Sequence, residues 1–144
     1  MFSASLSLSL SRTRAHTHSL SLSRSAFAFG HGLSYTTFGY SGLQVTGRNV
    51  SFYLTNTGPV AGSEVAQLYL SYPDSEAYPF KQLRGFEKVS LGPGKRQLVT
   101  FALTQRWLSS WDVQTHAFTL NTGTFGVSIG GASDDIKLTG TITV

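Results

Sequence analysis

Cysteine is absent from the 144 residues, which excludes a disulfide scaffold, thiol catalysis and a Cys-based zinc site. Charge is scarce as well. Asp, Glu, Lys and Arg make up 12% of the chain, against roughly a quarter in an ordinary soluble domain. No run of 18 apolar residues exists, so no segment reads as a membrane-spanning helix and no membrane partner is expected. The net charge of +4 carries little information, because Arg12, Arg14 and Arg24 stand in a segment without acids. Residues 26–144 are close to neutral, which argues against a nucleic-acid partner.

Residues 1–25 lack glycine and proline altogether. They alternate Ser and Leu around a short Thr/His stretch, as translated dinucleotide repeats do, and read as a low-complexity, disordered tail produced by the gene model. The segment is a poor signal peptide, since no basic residue precedes the Ser/Leu run and Ser interrupts every apolar pair. His16 and His18 have no third ligand near them, so no metal is expected there.

From residue 40 onward the hydrophobic period is two. Val50, Phe52 and Leu54 alternate with Ser51, Tyr53 and Thr55, and Ala66, Leu68 and Leu70 alternate with Val65, Gln67 and Tyr69. The same pattern runs through Val99–Leu103, Phe125–Ile129 and Ile136–Val144. Such alternation marks strands with one buried face. Asn56-Thr57-Gly58-Pro59, Gly92-Pro93-Gly94, Asn121-Thr122-Gly123 and Gly130–Asp135 separate them as turns. The expectation is an all-β, antiparallel sandwich of seven or eight strands over residues 40–144. A junction segment (26–39) precedes it. Leu83–Leu91 predicts a bulge at Gly85-Phe86, residues 104–111 a helical turn capped by Thr104, and residues 73–82 a long loop.

Candidate chemistry is sparse. Glycosidic hydrolysis needs two carboxylates facing a sugar across about 5–10 Å. Asp74, Glu76, Asp134 and Asp135 read as solvated turn acids, Glu64 and Glu87 as local ion-pair or edge residues, and Asp112 as a turn cap. His31 and Ser34 lack the strand–turn–helix elbow of a nucleophile, and His116 reads as a rim residue. No catalytic residue and no cofactor are expected. Trp107 and Trp111 are candidates for stacking on sugar rings, and the competing expectation is that both cover the end of the sandwich.

The segment Phe29-Gly30-His31-Gly32-Leu33-Ser34-Tyr35-Thr36-Thr37-Phe38 resembles the junction that enters the C-terminal fibronectin type III-like domain of fungal-type glycoside hydrolase family 3 β-glucosidases. The resemblance continues in order through VSFYLTNTG (50–58), VAGSEVAQLYL (60–70), KQLRGFEKV (81–89), LGPG (91–94), LSSWDV (108–113) and IGGASDDIKLTG (129–140). It implies a fibronectin type III-like sandwich. It also implies a parent enzyme, extracellular, that removes terminal β-glucosyl residues in cellulose and glucan degradation with an Asp nucleophile and a Glu acid/base. Both of those lie in domains that this chain does not contain, so the chain alone is expected to be inactive. The implied role is packing on the catalytic domains through Phe29, Gly30, His31, Gly32, Leu33, Ser34, Tyr35, Phe38, Tyr78 and Phe80. The alternatives are a stand-alone carbohydrate-binding module contacting glucan and an adhesion-type interaction module.

Overall fold

A computed structural model describes residues 26–73 and 80–144. The repeat tract and Tyr78 lie outside the described residues, and so do the expectations placed on them. Nine strands follow in order among the described residues: β1 (Phe38–Thr46), β2 (Asn49–Asn56), β3 (Gly62–Ser71), β4 (Gln82–Leu91), β5 (Arg96–Ala102), β6 (Ser109–Asp112), β7 (Ala117–Leu120), β8 (Thr124–Gly130) and β9 (Ile136–Thr143). A 3-10 turn, Gln105–Leu108, precedes β6.

Seven of these strands make the expected antiparallel sandwich. One sheet has the order β1-β2-β5 and the other β4-β3-β8-β9. The remaining two, β6 and β7, pair as a separate hairpin between β5 and β8. Alternation places the core: Val50, Phe52 and Leu54 from β2 meet Ala66, Leu68 and Leu70 from β3 and Phe125, Val127 and Ile129 from β8, all at 1% exposure or less.

Three local expectations have counterparts in the structure. Thr104 caps the 3-10 turn by accepting from the Trp107 N–H. The bulge falls at Arg84, one position before the expected Gly85-Phe86, since Leu68 pairs with Gly85 and Tyr69 already pairs with Leu83. Asp112 accepts from the Gln114 N–H and the Thr115 hydroxyl and so closes the β6–β7 turn. The sandwich begins at Phe38 rather than at residue 40.

One part of the alternation fails. Gln67 and Tyr69, on the outward parity of β3, are buried. The junction segment lies over them, so the middle of β3 is covered on both faces.

Candidate functional site

The junction is tied to the sandwich at two points and stands clear between them. At the first, the His31 N–H donates to the Ala28 carbonyl and closes a tight turn with Gly30 at φ +79°. The Ser133 N–H donates to the Phe29 carbonyl at 2.8 Å. Gln67 Nε2 donates to the carbonyls of Gly30 and Gly131, and the Tyr69 hydroxyl donates to Gln67 Oε1 at 2.5 Å. Gly30 is required here: a β-carbon would collide with the Gln67 side-chain amide, and positive φ disfavours any other residue.

At the second point the Thr36 hydroxyl donates to Asn56 Oδ1 at 2.8 Å, and the Thr57 N–H donates to the Thr37 carbonyl. Between these anchors Leu33 is 93% exposed and Tyr35 100%. The anchoring is almost wholly polar and main-chain, while the apolar side chains face away from the sandwich.

Phe29, Phe80 and Phe86 are exposed on the same side. Two open hollows flank Phe29. One, of about 700 Å³, is lined by His31, Leu33, Val65, Phe86 and Glu64 among others. The second, of about 690 Å³, is lined by Tyr69, Phe80, Lys81 and Leu83. Phe29 and Leu83 border both, so the Phe29 ring is a ridge between two depressions. Lys81 donates to the Ser133 carbonyl and holds the β8–β9 turn against the far wall.

Other expected residues are placed differently. Phe38 turns inward opposite Asn56 and packs on the core, so it is not part of the outward face. Its position at the start of β1, in phase with Tyr40, dictates this. A β-carbon on Gly32 would meet nothing within 4 Å. Ser34 accepts from the Thr36 N–H, and His31 contacts the Phe27 ring.

Three acids, Glu64, Asp134 and Asp135, line the larger hollow. Glu64 lies on the interior strand β3 and makes no ion pair among the described residues; the Tyr40 hydroxyl donates to its Oε1 at 2.9 Å. Burial, the main cause, raises its carboxyl above the usual range, against the lowering effect of the Tyr40 bond. The Tyr40 hydroxyl is itself pushed far up, first by burial and then by the Glu64 charge. Asp135 pairs with Lys137 at 2.5 Å. A methyl group added at Gly131 would lie 2.8 Å from Glu64 Oε1 and 3.5 Å from Asp135 Oδ2. Both carboxylates therefore lie against the Gly131 backbone. Glu87 lies on the edge strand β4, and His116 is exposed in the β6–β7 turn at φ 49°.

The two tryptophans separate. Trp107 packs against the core and covers the sandwich end. Trp111 is 52% exposed and meets Phe118 edge to face at 5.2 Å, with the Arg106 guanidinium 4.0 Å over the Phe118 ring. They border a cleft of about 370 Å³ with Arg84, Arg106, Gln82 and Tyr72. No local pattern marks Phe118, Arg84 or Arg106 as its walls, because they come from three separate elements, β7, β4 and the 3-10 turn.

The fibronectin type III-like domain family matches residues 64–133. "Probable beta-glucosidase L" of Emericella nidulans is 45% identical over 80% of this chain and 19% of its own length. "Probable beta-glucosidase D" of Aspergillus niger is 42% identical, over 80% and 18%. The chain thus spans about a fifth of the length of the curated relatives it matches. Among solved structures, a β-D-glucoside glucohydrolase from Trichoderma reesei superposes with a TM-score of 0.75 at 41% identity, covering 81% of this chain and 20% of that one. A family 3 β-glucosidase from Bifidobacterium adolescentis superposes with a TM-score of 0.77 at 32% identity, over 82% and 18%. An antiparallel sandwich, a matching domain family and relatives of one kind agree: this chain carries a fibronectin type III-like domain and belongs with that of the family 3 β-glucosidases.

Proposed function

We propose that the chain is a non-catalytic accessory domain that packs on the catalytic domains of a β-glucosidase through its junction face. One observation carries this reading: the junction is fastened by its backbone, while Phe29, Leu33 and Tyr35 are left exposed, with Phe29 and Leu33 bordering the same hollow as Phe86, and Phe29 that of Phe80. An interior segment would bury such side chains, and a free surface rarely groups them. Contacts between domains of one chain cover about 600–1,500 Å², and at about 25 cal/mol per Å² these side chains contribute several kcal/mol. The substrate in this reading is the parent's, a terminal β-glucosyl residue, and secretion would likewise be the parent's property.

The test is a chimera. Residues 26–144 replace the corresponding segment of the Aspergillus niger relative, and thermal stability and aryl-β-glucoside hydrolysis are followed. The expected result is activity in the chimera, none in the chain alone, and a lower melting temperature when Leu33 and Tyr35 become Asp and Ser. Hydrolysis by the isolated chain in proportion to its concentration, or a chimera no more stable than the enzyme lacking the segment, would refute it.

A further inference from the structure

The outer face of the β1-β2-β5 sheet differs in kind from the junction face. Its cross-strand rows read Thr46–Asn49–Ala102, Gln44–Ser51–Thr100 and Ser41–Tyr53–Leu98. Small hydroxyl and amide side chains dominate it, as on a face that stays in water. Asn49 begins β2 next to the two-residue Gly47-Arg48 turn, is exposed, and makes no side-chain hydrogen bond among the described residues. It is followed by Val50 and Ser51, and of the three asparagines only Asn49 has a hydroxyl residue two places on with no proline between. Val50 is fully buried while Asn49 and Ser51 share the outward parity.

We infer that Asn49 is an N-glycan acceptor whenever the chain enters the endoplasmic reticulum, with Ser51 supplying the hydroxyl that the transferase requires. In the step, Asn49 Nδ2 attacks C1 of an oligosaccharide carried on a polyprenyl pyrophosphate. The new bond is C1–Nδ2. The C1–O bond to phosphate breaks, the lipid pyrophosphate leaves with its electron pair, and the amide loses one proton. In the finished fold the ladder neighbours of Asn49 are the exposed Thr46 and Ala102, so the glycan projects from a strand end without displacing the core. It also projects from the sheet opposite to the junction face. Glycan and docked domains therefore occupy different sides, and the site is independent of whether docking occurs.

The full chain, behind a cleavable secretory leader, is translated with yeast microsomes and scored only on leader-cleaved product, so that every scored chain has entered the lumen. The expected product is a heavier band collapsed by endoglycosidase H, and peptide-N-glycosidase treatment in heavy-oxygen water leaves labelled Asp at position 49. Asn49→Gln and Ser51→Ala abolish the heavier band, and Ser51→Thr keeps it. Leader-cleaved wild-type chain carrying unmodified Asn49, or a heavier band that persists in Ser51→Ala, overturns the assignment. Either result leaves the docking reading standing, because the chimera tests that separately.

Discussion

The Tyr40 hydroxyl donates to Glu64 Oε1 across 2.9 Å and so joins β1 of one sheet to β3 of the other. Tyr40→Phe leaves a half-buried carboxylate short of a donor, and an orphaned group of this kind costs about 1–3 kcal/mol. Glu64→Gln keeps an acceptor for Tyr40 and removes the charge. Burial raises the folded carboxyl's pKa above its ordinary value of 4.5, so the native state holds the proton more tightly than the unfolded chain. This contribution is complete below the unfolded value and is lost as pH rises through the folded one. Urea midpoints will show wild type falling relative to Glu64→Gln between pH 4.5 and neutrality. A constant difference would contradict the burial cause.

Asn56 is fully buried and uses both sides of its amide. It accepts from Thr36 and from the Gly58 N–H, and donates to the carbonyls of Val60 and Leu91. Asn56→Ala strands several of these groups at once, and each orphan costs about 1–3 kcal/mol. Asn56→Asp destabilises too, since a carboxylate then faces two carbonyls. Denaturant unfolding will place both variants well below wild type, and a near-neutral Asn56→Ala would contradict the network.

Gly30→Ala meets the Gln67 side chain and holds an L-residue at φ +79°, a conformation that costs about 1–2 kcal/mol. The junction turn will lift from β3. Limited chymotrypsin digestion will cut faster at Phe29, Leu33 and Tyr35, while the sandwich from Phe38 onward survives. Unchanged cutting would mean that the anchors at Thr36 and Thr37 suffice.

The double variant Leu33→Asp, Tyr35→Ser removes two side chains that touch little of this chain. Its melting temperature will stay within experimental error of wild type, and its light scattering at high concentration will fall. A large loss of stability would show that these residues serve the sandwich itself.

Trp107 and Trp111 will respond unequally. Trp107→Ala opens a gap against the core and costs about 2–4 kcal/mol, whereas Trp111→Ala costs less than about 1 kcal/mol, as exposed positions do. Retention on insoluble glucan that is lost in Trp111→Ala would favour the carbohydrate-binding alternative. No retention in either protein agrees with accessory packing.

Much of the fold was written in local pattern. The parity of Val50, Phe52 and Leu54 placed the core, and Thr104 and Asp112 announced their caps, because those effects act within a few residues. The burial of Gln67 and Tyr69 was not legible, since what covers them lies about forty positions upstream. Glu64 looked like an edge acid because its partner, Tyr40, is on the other sheet. The β6–β7 hairpin escaped because four-residue strands are too short to display a period. The junction face was legible only through ordered resemblance. Its exposed side chains obey no local rule, and in the proposed reading they meet the catalytic domains of a β-glucosidase.

Between Gln67 and Leu70, β3 has β4 along one edge, β8 along the other, the core beneath and, over Gln67 and Tyr69, the junction above. Ladder partners on both edges and the core beneath tie the protection of these peptide groups to a larger opening of the molecule. Deuterium will enter them last, and their exchange rate becomes an internal gauge of global unfolding, against which any loosening of the junction registers as an earlier signal at Gln67 and Tyr69.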